Sequence, residues 1–257
     1  MRKIGIGVAL ILAIILISCA TASFNPAIDS SKALLQPSWE HLLGCDFLGR
    51  DLLSLMSSGV LISVSVAALT VFISISVGLL LALAMSFKSL SFFAFPISDS
   101  LKLLPTVPLA LFFSSVGGPG VWKLVLAMSI TMIPVVSRAC YARLAVLKKE
   151  RFILSSYAMG KSHLCVFFTH MLPHLQSYLR EQSVSLFLSS ILLESSLSYL
   201  GAGLPAGTPS LGRIIADAKA YMLSEPLQLP FPALLLFLIG FSLVMVIKGL
   251  SELDSAS

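Results

Sequence analysis

Charged residues are scarce in this chain of 257 residues, in which Asp, Glu, Lys and Arg make up 11% of the total and hydrophobic residues 57%. Soluble domains contain about 25% charged residues. So few charges cannot cover an apolar surface in water, and the composition is far too hydrophobic for an intrinsically disordered chain. With a mean hydropathy of +0.97, the chain is expected to reside in a membrane and to contact lipid.

Cysteine is scarce as well. The four residues Cys19, Cys45, Cys140 and Cys165 have neither paired nor metal-like spacing, which excludes a disulfide scaffold. The formal net charge of +5 is too small to indicate a nucleic-acid partner.

The motifs of the common catalytic and nucleotide-binding sites are missing too. The sequence has no GxxxxGKS or GxxxxGKT phosphate loop, no HExxH and no GxSxG. We therefore expect that the chain is not an enzyme, has no catalytic residue and binds no cofactor of its own.

Three histidines, His163, His170 and His174, are close enough in sequence to suggest a metal site. Pro173 is predicted to break the helix between the last two. These two side chains would then not share a helical face, as a pair of metal ligands on one helix does. We expect no metal site.

Six apolar stretches could each cross a bilayer, which takes about 20 residues in helical form. Asp99, Lys102 and three prolines interrupt the third stretch, so its start is placed only between Phe92 and Leu101. The chain is predicted to be an all-α membrane protein with about six transmembrane helices. The predicted spans are Ile4–Ala20, Val60–Met85, a segment ending near Val116, Val121–Val136, Val184–Leu200 and Leu229–Ile247.

The first stretch also resembles a cleaved lipoprotein signal, because Arg2-Lys3 and an apolar run precede Leu16-Ile17-Ser18-Cys19. A lipid anchor would be redundant on a chain with five further apolar stretches, so we favour a first span. No internal repeat and no linker divides the chain.

The orientation follows from the basic residues, which concentrate on the cytoplasmic side of membrane proteins. With six spans and a cytoplasmic N-terminus, 12 of the 17 Lys and Arg residues lie inside. Both termini are therefore predicted to be cytoplasmic. The largest basic cluster lies in the loop between the fourth and fifth spans and comprises Arg138, Arg143, Lys148, Lys149, Arg151, Lys161 and Arg180.

This loop is predicted to contain a helix from about Glu150 to Met159, a break at Gly160, and a second helix that starts after Ser162 and ends before Pro173. Phe152 and Met159 are seven residues apart and lie on one face of the first helix, with Ser155 and Ser156 between them. Such a small apolar stripe either packs back on the bundle or docks in a groove of another protein. The residues alone favour neither alternative.

A polar stripe is predicted on the fifth span, where Ser183, Ser190, Glu194 and Ser198 fall on one helical face. A carboxyl group within an apolar span normally faces the bundle interior. One hypothesis is that Glu194 hydrogen-bonds across a subunit interface and holds one conformation of a pathway. The alternative is a structural role, with the carboxyl bonded to serine hydroxyls.

Three segments resemble one family. Residues 150–160 with Leu172-Pro173 resemble the EAA loop of ABC importer permeases, although Leu154-Ser155-Ser156 stands where that loop has Glu-Ala-Ala. Residues 41–51, HLLGCDFLGRD, resemble the HPLGTDxxGRD segment of peptide and nickel permeases. Residues 194–203, ESSLSYLGAG, and 208–212, TPSLG, resemble the ExxLSFLGLG and TPSWG segments of the same group. The chain is thus similar to the C-type permease subunit of dipeptide, oligopeptide or nickel ABC importers.

The resemblance implies a type I importer fold with a cytoplasmic coupling helix that inserts into an ATPase subunit. Residues 1–59 would form the first span and an outer segment, and residues 60–257 a permease core with a coupling loop at 138–180. The implied partners are a sister permease, two cytoplasmic ATPases that use ATP, and an extracytoplasmic substrate-binding protein. The implied coupling residues are Glu150, Phe152, Ser155, Ser156, Met159, Gly160, Leu172 and Pro173.

The outer-face motif consists of Gly44, Asp46, Gly49, Arg50 and Asp51. Asp51 is expected to cap the helix that starts at Leu52, and Arg50 to pair with Asp46 or extend along the membrane surface. The alternative is that this segment braces the surface where a substrate-binding protein docks.

The sequence therefore predicts a permease subunit of an ATP-driven importer in a bacterial-type inner membrane that moves peptides. Nickel or another small solute is the alternative cargo. An ion-coupled secondary transporter would need charges at mid-membrane, for which Glu194, Asp99 and Lys102 are the candidates. A membrane protein with a purely structural role is the remaining class.

Overall fold

We describe the fold from a computed structural model, which covers residues 2–22, 28–205, 207–223 and 228–256, with side chains between Lys3 and Leu253 within these ranges. These residues form helices and loops and contain no β-strand, apart from one isolated bridge between Cys45 and Asp51. The prediction of an all-α fold is confirmed. The α-helices are α1 (Arg2–Thr21), α2 (Leu52–Ser86), α3 (Lys88–Lys102), α4 (Thr106–Ser115), α5 (Val121–Leu147), α6 (Arg151–Ala158), α7 (His163–Val166), α8 (Leu172–Tyr199), α9 (Leu211–Lys219) and α10 (Pro230–Ala256).

Four helices of the described chain are long and apolar enough to cross a membrane, namely those over Lys3–Thr21, Leu52–Ser86, Val121–Leu147 and Pro230–Leu253. Helix α8 is as long but less apolar; it runs from the inner loop to the outer segment and packs on α2, α5 and α10. The shorter helices α3 and α4 are separated by a break at residues 103–105, and both pack on α5.

Helices α1 and α10 pack antiparallel, so the two ends of the chain lie together. The backbone of Gly7 lies against α10, where a Cβ would sit 2.6 Å from the Ser242 carbonyl oxygen. One end of this pair carries the ion pair between Lys3 and Glu252. At the other end, the Thr21 hydroxyl lies 2.7 Å from that of Ser57, near the start of α2.

The loop between α5 and α8 lies at the same end of the bundle as the termini, because α2 runs antiparallel to α1 and ends at this loop. The Lys148 ammonium donates to the Ser86 carbonyl oxygen at 2.7 Å. We call this the inner end, and the end that carries residues 41–51 and α9 the outer end. The inner end also holds Lys148, Lys149, Arg151 and Lys161 of the largest basic cluster, whereas Arg138 and Arg180 lie further along α5 and α8.

Three helices extend beyond their predicted spans. Helix α2 starts at Leu52, as the expected cap at Asp51 implies, and so begins before the predicted span Val60–Met85. Helix α5 continues to Leu147, beyond Val136, and α8 starts at Leu172, before Val184. Hydropathy marks only the section of a helix inside the hydrocarbon, whereas backbone hydrogen bonding carries the helix on through polar residues. The helices are therefore longer than the predicted spans, which mark only the sections expected inside the membrane.

The predicted helix break at Pro173 was also wrong. Helix α7, a π-helical turn over Phe167–Met171 and α8 follow one another without a break. The Leu172 N–H donates to the Phe167 carbonyl oxygen, five residues back. Such a wider turn, followed by proline in the first turn of α8, accommodates the missing N–H and the ring without ending the helix.

Candidate functional site: inner loop, Glu194 cluster and outer cap

The inner loop contains the helix-turn-helix that the sequence predicted. Helix α6 covers Arg151–Ala158, with Glu150 at its N-cap position. Gly160 has φ +77°, in the left-handed region. The Gly160 N–H donates to the Tyr157 carbonyl oxygen at 2.9 Å and the Lys161 N–H to that of Ser156 at 3.3 Å. These two bonds form a Schellman motif, and the Ser162 hydroxyl then caps α7 by accepting from the Cys165 N–H at 3.3 Å.

Helix α6 has an inward and an outward face. Ile153 and Ser156 are buried against the bundle, whereas Ser155 is exposed. Phe152 and Met159, the predicted apolar stripe, are 40% and 68% exposed. Phe152 touches the start of α8 on one side, but much of the stripe stays exposed in the subunit.

Leu154 is also exposed, at 53%. It stands at the acidic position of the Glu-Ala-Ala triplet of the resembled loop. The side chains that α6 offers to a partner are therefore mainly apolar, and its exposed cation Arg151 lies at the helix start.

The remaining predicted coupling residues, Leu172 and Pro173, lie at the start of α8, after α7 and the π-helical turn. Leu172 is half-buried and Pro173 exposed. The Phe152 ring lies 5.1 Å from the His174 ring and 6.5 Å from the His170 ring, so α6 packs on the start of α8. Within the described ranges no three His, Cys, Asp or Glu side chains form a group able to hold a metal ion.

A contact network that the sequence did not reveal joins α6 to the inner end of α2. The Tyr157 hydroxyl lies 3.2 Å from His163 Nδ1, and His163 Nε2 lies 3.3 Å from the Ser86 carbonyl oxygen. The Phe87 ring packs against that of His163, with 4.4 Å between the ring centres and a tilt of 43°. Partial burial raises the pKa of Tyr157 and lowers the pKa of Lys148. Residues 71 positions apart in sequence thus meet, a proximity that no local pattern signals.

Glu194 lies at the centre of a hydrogen-bonded cluster near the outer end of the bundle, where it is fully buried (0% exposed). Its Oε2 accepts from the Ser63 hydroxyl of α2 at 2.6 Å and from that of Ser195 at 3.5 Å. Its Oε1 accepts from the Ser198 hydroxyl at 2.7 Å, and the Ser210 hydroxyl is a fourth hydrogen-bonding neighbour.

Within this subunit the Glu194 carboxyl group is fully enclosed by side chains of its own helices. The hypothesis of a bond across a subunit interface stays a prediction. The structure supports the alternative, a carboxyl bonded to serine hydroxyls that joins α8 to α2 and to the start of α9.

Two glycines allow the outer loop to close over this cluster. A Cβ on Gly203 would lie 2.2 Å from the Ser198 hydroxyl oxygen, and one on Gly212 would lie 1.9 Å from the Ser195 carbonyl oxygen. Both belong to segments singled out in the sequence, and close backbone approach explains the glycine at each position.

The other members of the polar stripe have different surroundings. Ser190 is buried and points at the Met132 sulfur, 3.5 Å away. Ser183 is half-buried, donates to the Leu179 carbonyl oxygen at 2.5 Å, and borders an apolar cavity of about 580 Å³ together with Phe72 and Phe187. The stripe therefore faces α2 and α5 along its outer half and a cavity at its inner end.

The outer-face motif folds as a compact cap. Asp46 is buried and accepts from the Arg50 Nε at 2.7 Å and from the Arg50 N–H at 2.8 Å. Asp51 caps α2 by accepting from the Ser54 N–H at 2.8 Å, and its other oxygen lies 3.0 Å from His41 Nδ1. The expected structural roles of Arg50 and Asp51 are confirmed.

Two glycines of the cap, Gly44 and Gly49, have φ of +77° and +74°. A Cβ on Gly49 would lie 1.8 Å from the Asp29 carbonyl oxygen. The cap also borders a cleft of about 230 Å³ lined by Arg50, Arg213 and Asp217. Burial raises the pKa of Asp217, while the two arginines oppose that effect.

The arrangement defines a class: a bundle of long apolar helices, an outer cap, and an inner helix that presents apolar side chains at the end of the bundle. Residues 74–253 match the model of the binding-protein-dependent transport system inner membrane component family. The chain belongs to this family, and it is a permease subunit of an ABC importer of the bacterial inner membrane.

The chain is similar to several curated permeases. It is 27% identical over 93% of its length to the dipeptide transport system permease protein DppC of Alkalihalophilus pseudofirmus, covering 76% of that protein. It is 34% identical over 84% of its length to the glutathione transport system permease protein GsiD of Salmonella typhimurium, covering 72% of that protein.

The fold is similar to that of solved importers. Two inward-facing structures of the MetNI methionine ABC transporter match with TM-scores of 0.57 and 0.59 at 18% sequence identity, covering 76% of this chain and 96% of that chain. The prediction of a type I importer permease fold is confirmed.

Proposed function

We propose that this chain forms one half of a translocation pathway for peptides, together with a sister permease. Two cytoplasmic ATPase subunits would drive it, and an extracytoplasmic binding protein would deliver the cargo. The names of the relatives, dipeptide and glutathione permeases, support peptides as the substrate class. Nickel or another small solute is not better supported as the cargo.

The observation that carries the proposal is the inner loop. An amphipathic helix closed by a Schellman motif presents Phe152, Leu154 and Met159 at the end of the bundle. We propose that this face docks in a groove of the ATPase subunit. ATP-driven closure of the two ATPases would then push α6, and the helices joined to it would shift as rigid bodies.

The orientation and the domain division follow from the same proposal. The inner end is cytoplasmic, and so are both termini, which lie at that end through the contact between Lys3 and Glu252. Residues 60–257 form the permease core with the coupling loop at 138–180, and the family match at 74–253 falls within this part. Residues 1–59 contribute the first span and the outer cap.

Gly160→Val tests the coupling role. A residue with a Cβ in the left-handed region costs about 1–2 kcal/mol, and a β-branched residue more. No atom lies within 4 Å of the position a Gly160 Cβ would take, so the change acts on the turn between α6 and α7 and not on packing. We expect reconstituted transporter to lose peptide uptake while ATP hydrolysis continues.

Gly118→Val is the matched control, because Gly118 has φ +78° and equally open surroundings at the outer end. This substitution introduces the same backbone strain at the outer end, far from the inner loop. We expect it to leave the coupling of ATP hydrolysis to peptide uptake intact. Normal uptake and peptide-stimulated ATPase activity in Gly160→Val would contradict the proposal.

A further inference from the structure

An ion pair on the outward surface of α3 and α5 has no part in the coupling loop. The Arg138 guanidinium of α5 hydrogen-bonds the Asp99 carboxylate of α3 and lies 4.8 Å above the Phe95 ring. The pair remains accessible, since the side chain of Arg138 is 34% exposed and that of Asp99 62%. Lys102 follows Asp99 by three residues, on the same face of α3, and is also exposed.

The contacts between α3, α4 and α5 establish the depth of these charges. Ser98 meets Ser137 at 3.2 Å and Thr106 meets Thr131 at 3.0 Å, so the two chain segments run antiparallel. At about 1.5 Å per residue, Arg138 lies about 14 Å from the inner end of α5. Lys102 lies one turn further out, near the middle of α5.

Helix α2 presents an apolar surface at the same depth. A Cβ on Gly78 would lie 2.7 Å from the Val136 Cβ, so Gly78 is level with Val136, two residues from Arg138. Residues 78–86 of α2 carry no charge, and Leu80 is 64% exposed. The charged residues of α3 and α5 thus share their depth with an apolar surface.

Charges at such a depth almost always face a bundle interior or a water-filled cavity, because contact with lipid is expensive. Arg138 neutralises Asp99, whereas none of the ion pairs found in the described part of the chain involves Lys102. The surface therefore carries one net positive charge at mid-membrane. An anionic group that passes along this surface would be attracted to it.

We propose that Asp99, Lys102 and Arg138 line the translocation pathway and that Lys102 binds the terminal carboxylate of the passing peptide. This inference rests on the proposed function, since it assigns to peptide import a contact that the substrate-binding protein does not supply. Asp99 is a positioning residue. It pairs with Arg138, so that only Lys102 binds the terminal carboxylate of the peptide and the peptide can leave again.

The first test measures water access in the complete transporter. Cys19 and Cys165 are exposed and are replaced by Ser, and Lys102→Cys is then treated with a charged, membrane-impermeant methanethiosulfonate reagent. We expect it to react, and to react more slowly during peptide transport. Leu80→Cys, on the apolar surface at similar depth, is the control and is expected to stay unreactive. Lys102→Cys as unreactive as Leu80→Cys would overturn the inference.

The second test compares ATP-driven uptake of a peptide with a free carboxylate and of the same peptide as its C-terminal amide. The same binding protein delivers both peptides to every permease variant. A difference between variants in the ratio of the two uptake rates therefore arises in the translocation pathway. Lys102→Gln is expected to reduce the preference for the carboxylate about two- to five-fold, the factor that a partly solvated ion pair provides. Lys88→Gln, an exposed lysine at the inner end of α3, is expected to keep it.

The outcomes separate the two proposals. Absence of ATP-dependent peptide uptake by the unmodified transporter would contradict the proposed function. Normal uptake with the same carboxylate preference in Lys102→Gln and the unmodified protein would overturn the pathway role of Lys102 alone.

Discussion

Replacing Glu194 by Ala is expected to destabilise the subunit by about 2–4 kcal/mol. The carboxyl oxygens accept two short hydrogen bonds, from Ser63 at 2.6 Å and from Ser198 at 2.7 Å. Hydrogen bonds between membrane helices contribute about 0.6 kcal/mol on average and up to about 1.7. Leaving buried hydroxyls without their acceptor and opening a cavity adds about 1–3 kcal/mol.

The serines can recover part of this loss by turning their hydroxyls to the carbonyl oxygen one helical turn back. The expected loss of about 2–4 kcal/mol is therefore the lower half of the summed range of about 2–6 kcal/mol. Glu194→Gln keeps one carbonyl oxygen and replaces the other by an NH₂ donor, so a single hydroxyl has to turn and accept. We expect it to cost about 1 kcal/mol, the value of one hydrogen bond.

The measurement is the free energy of unfolding of the purified subunit, obtained by titration with SDS in mixed micelles. Ser190→Ala is the matched control, because Ser190 is buried on the same helix but meets only the Met132 sulfur at 3.5 Å. A loss in Glu194→Ala no greater than in Ser190→Ala would refute the cluster's structural role. If the Glu194→Gln subunit no longer co-purifies with the sister permease while its free energy of unfolding is unchanged, the result would instead support a bond across the subunit interface.

Two further predictions concern the outer cap and the inner loop. Gly49→Ala would place a Cβ 1.8 Å from the Asp29 carbonyl oxygen at φ +74°, so we expect a lower thermal unfolding midpoint than for Gly118→Ala, which has similar φ and no clash. Leu154→Ser removes an exposed apolar side chain from α6. We expect the affinity for the ATPase subunit to fall about five-fold while the thermal unfolding midpoint stays unchanged. An unchanged affinity, measured by titrating the subunit with the ATPase, would contradict apolar docking.

Local signals of the sequence identified several features correctly. Asp51 before an apolar run indicated a helix cap, and it accepts the Ser54 N–H. Gly160 between two helical segments indicated a left-handed turn, and its φ is +77°. Such features depend on a few neighbouring residues, so backbone sterics and the nearest hydrogen bonds determine them.

Other features were wrong or missed because they depend on neighbours in space. Pro173 was expected to end a helix, but the π-helical turn over Phe167–Met171 accommodates it. The link from Tyr157 through His163 to Ser86 has no sequence signal, since a tyrosine, a histidine and a backbone carbonyl are common in any loop. The partners of Glu194 came from the same chain, and helical periodicity alone cannot say which helix faces a polar stripe.

The sequence by itself determined that this is an all-α membrane protein with a basic inner loop and the motifs of an importer permease, because hydrophobic length, charge asymmetry and short-range turn chemistry are properties of consecutive residues. Only the tertiary structure decided that much of the apolar face of α6 is exposed, that Glu194 is enclosed by its own chain, and that Asp99, Lys102 and Arg138 lie together on one exposed surface. These three outcomes depend on which helices pack together and at what register, which is settled by the fit of side chains far apart along the chain.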